Sequence, residues 1–386
     1  MSKRRAVILS VTMEGLTQAE AARFFGVSQT FVSRLMARYR AEGDTAFEPR
    51  SRRPKTTPTA TTDEVVERIV NLRVELTAQG LDAGPNTIAW HLQDRWGHRV
   101  SVSTIRRRLV AAGLVTAEPK KRPKSSYIRF EADLPNECWQ SDFTHWRLAD
   151  GTDTEILVWL DDHSRFVLSA TAHQPVTGPI VLAAFRANIE NHGPPASTLT
   201  DNGLVYTTRF VGRGGGRNPL ETELANLDIV QKNSRPNHPT TCGKVERLHQ
   251  TLKKWLRQQS PATTLVELQA HLDRFVDHYN HHRPHSSLGR RPPAVVYNLL
   301  PKATSTSSDT STGHPRVRHG RIDRTGKVTL RRGGTMHSIG IGRTPAGTPI
   351  VLLINDLDIR VVSTATGELL RQLILDPERV YQPRPK

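Results

Sequence analysis

Three acidic residues stand in settings suited to metal-assisted phosphoryl chemistry. Asp142 lies in ECWQSDFTHW (137–146), which reads as a buried strand, Asp201 closes a short strand at TDNG, and Glu246 opens a helix in CGKVERLHQTLKKWL. Strand alternation puts Gln140, Asp142 and Thr144 on one face and Trp139, Ser141 and Phe143 on the other. At about 100° per residue, the helix carries an apolar stripe of Val245, Leu248, Leu252, Trp255 and Leu256. Glu246, His249 and Lys253 fall together on its flank, with Gln250 beside them. Three carboxylates gathered without a cation repel one another and take up protons. A pair of hard divalent ions, Mg2+ or Mn2+, removes that repulsion and makes a site for phosphate chemistry. On this reading Asp142, Asp201 and Glu246 are catalytic metal ligands, and Lys244, His249, Gln250 and Lys253 are the core's candidates to contact a phosphate-bearing polymer.

These acids need a sheet with a helix laid on it, and the surrounding pattern supplies one. ECWQSDFTHW, EILVWLDD and RFVLSATAH read as three adjacent strands, followed by a helix (GPIVLAAFRANIENH) and the strand STLTD. A glycine-rich insert (211–219), a helix near 220–226, the strand DIVQKN and two long helices at about 241–258 and 264–281 complete a mixed α/β sheet with helical cover. Asp161 and Asp162 are adjacent on a strand and point to opposite faces, so at most one could reach a metal; a turn role suits them better. His278, His281, His282 and His285 lack a Cys or acid to complete a zinc set and read as closure of a helix end.

WQSDFTHW, LDDHSR, TDNG, RPNHPTTCGKVERLHQTLK and YNHHRPHSSLG together resemble the bacterial insertion-sequence transposases with a retroviral-integrase-type core. The resemblance covers about 126–300 and implies a ribonuclease-H-like fold with the three-acid motif carried onto Asp142, Asp201 and Glu246. It also implies DNA cleavage at element ends and joining of 3′-hydroxyls to target DNA, with two metal ions and a homo-oligomer assembled on terminal repeats and target. The 44 residues between Asp201 and Glu246 exceed what is usual in that family, and the glycine-rich insert accounts for the excess. Cys242 stands where a polar residue such as Gln is expected. A DNA-binding regulator with an inactive core and a ribonuclease-H-like nuclease without joining activity are the rival readings.

The rest of the chain suits a polyanion partner. The net charge is +17 with a pI near 10.4. Residues 1–125 carry 22 basic against 12 acidic side chains, 126–300 carry 18 of each, and 301–386 carry 14 against 7. Basic flanks around a neutral centre suit ends that grip a phosphate backbone. TQAEAARFFGVSQTFVSRLMARYR (17–40) has a helix-turn-helix pattern. Ala21, Ala22 and Phe25 face inward on the first helix, Gly26 makes the turn, and Val32 and Leu35 face inward on the second, which offers Gln29, Thr30, Ser33 and Arg34 to DNA. A second helical unit ends in VSTIRRRLVAAGL, with Ile105 and Leu109 inward and Arg106, Arg107 and Arg108 spread outward.

The expected organisation is therefore multidomain: all-α DNA-binding units at 1–50 and 61–115, an α/β core at 127–300 and a small basic β-barrel at 315–376, joined by Pro-, Arg- and Ser-rich linkers. Arg316, Arg318, Arg321, Arg324, Arg331 and Arg332 gather at the start of the last domain. Two cysteines, Cys138 and Cys242, argue against a disulfide framework. No membrane-length apolar run occurs, and MSKRRAVILSVTMEG lacks a signal peptide's apolar core, so a soluble protein of the bacterial cytoplasm, associated with the nucleoid, is expected. GRGGGR lacks the Lys-Ser/Thr of a P-loop, and no nucleophile elbow is present, which excludes ATP hydrolysis and Ser-His-Asp chemistry.

Overall fold

The computed structural model describes residues 2–49, 60–115, 131–208, 217–233, 243–304, 316–332, 334–342 and 344–384. Most of the glycine-rich insert, Cys242 and most of the linkers lie outside them. The chain divides into two compact units, Met1–Thr62 and Asp63–Lys386.

The first unit packs α1 (Lys3–Thr12), α2 (Gln18–Phe24) and α3 (Gln29–Glu42) around Val7, Ile8, Ala21, Ala22, Val32, Leu35 and Met36. Thr17 and Glu20 form a reciprocal capping box at the start of α2, and Ser28 caps α3 by accepting from the Phe31 amide. Between them Gly26 sits at φ +60°, a left-handed turn that a side chain would strain. Gln29, Thr30, Ser33 and Arg34 are exposed on α3.

The second unit begins with α4 (Asp63–Ala78), α5 (Pro85–Trp96) and α6 (Val102–Ala111), closed over Ile69, Leu72, Leu76, Ile88, Leu92, Ile105 and Leu109. Arg106, Arg107 and Arg108 are exposed on α6. The α/β core follows as β1 (Trp139–Arg147), β2 (Asp153–Asp161), β3 (Val167–His173), α7 (Gly178–His192), β4 (Ser197–Thr200), α8 (Pro219–Asn226), β5 (Val230–Asn233), α9 (Gly243–Leu256), α10 (Leu265–Asp277) and α11 (Pro293–Tyr297). The sheet order is β3-β2-β1-β4-β5, antiparallel across the first three strands and parallel from β1 to β4 to β5. This is the order a ribonuclease-H-like core requires.

Period-two alternation divides the core. Ile156, Val158 and Leu160 of β2 pack with Val245, Leu248, Leu252 and Trp255 of α9 and with α10, while Trp139, Leu157 and Trp159 pack with Val181 and Phe185 of α7 and with Leu220 and Leu224 of α8. A π-helical turn, His278–His282, ends the second long helix. Its Asn280 clamps β3 by exchanging two 2.9 Å hydrogen bonds with the Val167 backbone.

The helical module seats on the far end of α9. Asp82 pairs with Arg283 at 2.7 Å, Lys254 Nζ donates to the Leu81 carbonyl at 2.7 Å, and Gly80 at φ +72° lies so close that an added Cβ would meet the Trp255 Cα at 2.9 Å. A cavity of about 320 Å3 remains beside this seat, walled by Trp90, His91, Trp255, His278 and Tyr279.

The C-terminal strands are β6 (Arg316–Arg321), β7 (Lys327–Arg332), β8 (Thr335–Gly340), β9 (Pro349–Asn355), β10 (Asp358–Ser363), β11 (Leu369–Ile374) and β12 (Tyr381–Gln382). They form a four-stranded sheet, β11-β10-β9-β6, and a three-stranded sheet, β12-β8-β7, over a shared core of Ile322, Val328, Leu330, Ile339, Leu352 and Ile359. The expected β-rich C-terminal region is present; among the described residues no single sheet closes on itself, and the strands lie in two sheets over that one core. β9 reads as an unbroken apolar run because it is covered on both sides: Val351 and Leu353 point away from that core and pack on Leu134, Ala196, Leu300 and Ala303 of the α/β core. No helix among the described residues is long and apolar enough to cross a membrane.

Candidate active site

Asp142 sits midway along the central strand β1, opposite Val158 of β2, and so on the face that α9 covers. Asp201 follows the last residue of β4, the parallel neighbour of β1, where its Oδ1 accepts the Gly203 amide at 2.9 Å and shapes a tight turn. Glu246 lies in the first turn of α9 and is exposed. Burial pushes the Asp142 carboxyl up to about 6, and the charges of Asp201 and Glu246 push the same way, against a 2.8 Å hydrogen bond from the Phe143 amide. The fold thus brings all three acids into one electrostatic neighbourhood. Among the described residues no three His, Cys, Asp or Glu side chains stand close enough to hold a metal ion as placed. The donor set is all carboxylate oxygen, the chemistry that a hard divalent cation accepts.

Two of the expected DNA contacts on α9, Lys244 and His249, point inward. Lys244 is turned inward, its ammonium 2.5 Å from Oδ2 of fully buried Asp162. Burial lowers the lysine's pKa despite the Asp162 carboxylate beside it, and no helical periodicity signals this inward turn. His249 is buried at 7% exposure, with Nδ1 3.8 Å from Asp142 Oδ2. Burial pushes its imidazole down to about 4, with Lys253 adding to the effect, so at neutral pH it is uncharged and the approach to Asp142 is no ion pair. Its position at the edge of the apolar stripe explains the inward turn. Gln250 is exposed and Lys253 half-buried on the same helix.

Asp161 and Asp162 are both fully buried. Asp161 makes the turn after β2, accepting from the Ser164 amide and hydroxyl and from the Asn136 amide. Asp162 accepts from the Ala132 amide at 2.8 Å, from Gln140 Nε2 at 2.5 Å and from Lys244. Only the first of these roles was visible in the sequence. The DD pair at the end of an apolar strand was the available signal for the second, but it does not name its partners.

Known proteins resemble these parts. Residues 132–239 and 227–293 match models described as the integrase core domain, 3–55 a helix-turn-helix domain and 31–109 a homeodomain-like domain. The insertion element IS476 uncharacterized 39.2 kDa protein of Xanthomonas euvesicatoria is 26% identical over 175 residues, 45% of this chain and 48% of that protein. The chain thus spans about half the length of that relative. The insertion element IS407 uncharacterized 31.7 kDa protein of Burkholderia multivorans is 25% identical over 206 residues, 53% of this chain and 71% of that protein. Among solved structures, the HTLV-2 integrase catalytic core domain in complex with magnesium is 20% identical, covers 43% of this chain and 99% of its own, and superposes with a TM-score of 0.33. With helix-turn-helix domains ahead of an integrase core and insertion-element proteins as relatives, the chain is similar to the insertion-sequence transposases whose core is of the integrase type.

Proposed function

We propose that this chain cleaves DNA at the ends of its element and joins the freed 3′-hydroxyls to target DNA, with Asp142, Asp201 and Glu246 as the metal-holding set. The observation that carries the reading is the placement of Asp142. A carboxylate on the α9-facing side of a central strand has the charges of Asp201 and Glu246 acting on it and, among the described residues, no cation paired to it. Two Mg2+ or Mn2+ ions among these oxygens would activate the attacking hydroxyl and stabilise the leaving oxygen. The HTLV-2 core, described in complex with magnesium, is consistent with that choice of ion. The chain's own contribution is to carry the three acids on β1, at the end of the adjacent strand β4 and on the α9 helix laid over them, and to grip duplex DNA through Gln29, Thr30, Ser33 and Arg34 of α3, Arg106 to Arg108 of α6 and Gln250 and Lys253 of α9. Exchange of one phosphodiester for another needs no nucleotide hydrolysis. The partners are terminal repeats, target DNA and further copies of the chain, in the bacterial cytoplasm at the nucleoid.

The test is the full chain incubated with labelled DNA carrying its flanking sequence and Mg2+ or Mn2+. Cleaved ends joined to a second duplex are the expected products; cleavage without joining identifies a nuclease, and binding without either identifies a regulator. Asp142→Asn abolishes both reactions and leaves DNA affinity unchanged, because an amide oxygen is a poor substitute for carboxylate at Mg2+. Equal loss of binding would assign Asp142 a structural role instead.

A further inference from the structure

Each candidate ligand is only as well placed as the element that carries it, and α9 begins directly before Glu246. We infer that Lys244, Asp162 and Gln140 form a bridge that sets α9 against β1, and with it the position of Glu246 relative to Asp142. The inference rests on the three-carboxylate reading above. Asp162 is fully buried at the end of β2. Its Oδ2 receives the Lys244 ammonium at 2.5 Å and the Ala132 amide at 2.8 Å, and its Oδ1 receives Gln140 Nε2 at 2.5 Å; Lys244 also donates to the Asp162 carbonyl at 3.3 Å. Lys244 stands two residues before Glu246 in the first turn of α9, and Gln140 two residues before Asp142 on the same face of β1. One buried carboxylate is therefore tied to both elements that carry candidate ligands.

Stability alone is a poor reason for such a bridge. Desolvating two charges offsets much of their attraction, and buried ion pairs are best attested as devices that select one register. Gln140 is in keeping with this: among the described residues its buried Oε1 has no hydrogen-bond partner, while its amide nitrogen reaches Asp162. Lys244, Asp162 and Gln140 act through Glu246 and Asp142 and are positioning residues. The same logic holds at metal centres generally, where groups behind the ligands govern affinity.

The experiment titrates Mn2+ into the full chain without DNA and follows free ion by electron paramagnetic resonance, at a temperature where circular dichroism shows each variant folded. Lys244→Met and Gln140→Leu weaken Mn2+ binding by about tenfold or more, and Lys244→Arg, which keeps the charge and its donors, restores most of the affinity. A lower thermal midpoint with Mn2+ affinity unchanged in the folded variants overturns the inference. Should Lys244→Met not fold, Gln140→Leu decides alone, since it removes a neutral side chain together with its unsatisfied oxygen. Glu246→Gln is the control on the underlying reading. If that variant binds Mn2+ as tightly as the parent, the carboxylate assignment itself fails, whatever the bridge variants do.

Discussion

His285 shows how strongly single side chains are conditioned by this fold. Burial, with Arg283, Arg165 and Arg290 nearby and Asp82 opposing them, pushes its imidazole from an ordinary 6.5 down to about 3. The unfolded chain therefore takes up this proton between about pH 6.5 and pH 3 while the folded chain does not. Stability is full above pH 6.5 and falls as the solution is acidified through that window. His285→Asn should flatten the dependence: in urea titrations between pH 4.5 and 5.5 the slope of unfolding free energy against pH should drop by up to about 1.4 kcal/mol per pH unit, one proton's worth. The face occupied by Asp142 was readable in advance, because once Trp139 is buried a two-residue period leaves one solution. The inward turn of Lys244 was not. Its partner is 82 residues away, and a flank position on a helix is equally compatible with solvent, DNA or a buried acid.

At the scale of elements, the succession of strands and helices along the chain was legible because periods of 2 and 3.6 residues are local properties, whereas the order of the strands in the sheet was not. β9 shows the limit: PIVLLIN announced burial, yet the sequence could not reveal that one of its faces packs on the α/β core. Nor could it show that α4 to α6 are seated on α9, since Gly80 reads as an ordinary helix stop. Gly80→Ala separates the two functions of that glycine. The left-handed backbone at φ +72° costs about 1–2 kcal/mol for any side chain, and the 2.9 Å approach to the Trp255 backbone adds a steric cost of about 1–3 kcal/mol. Gly97→Ala, at φ +71° with nothing within 4 Å, carries the first cost only. Denaturant midpoints should place Gly80→Ala well below Gly97→Ala, and limited proteolysis of Gly80→Ala should release the α4–α6 module first. Equal midpoints would mean that the seat yields without cost.

For the whole molecule, charge and packing divide the labour. Arg321 is engaged with the Gly347 carbonyl and Arg332 with Asp356, whereas Arg316, Arg324 and Arg331 are exposed on the C-terminal sheets. Because those sheets also cover Leu134, Ala196 and Leu300, removing residues 302–386 would uncover apolar core, and point changes are the cleaner probe. Replacing Arg316, Arg324 and Arg331 with Gln should lower DNA affinity and reduce the slope of log K against log salt by about 0.9 for each phosphate that is no longer neutralised; an unchanged slope would leave this region without a role in DNA binding. The seat of the helical module has a mechanical consequence. Glu246 and Trp255 stand near opposite ends of α9, about 14 Å apart at 1.5 Å per residue, and the helix behaves as a beam resting on Gly80, where backbone meets backbone with no compliant side chain between. A tilt of about 4° at that fulcrum swings Glu246 by about 1 Å, an offset that costs on the order of 100-fold at a positioned reaction centre. On the proposal that α6 grips DNA, strain at its arginines would reach the other end of the beam as an angle.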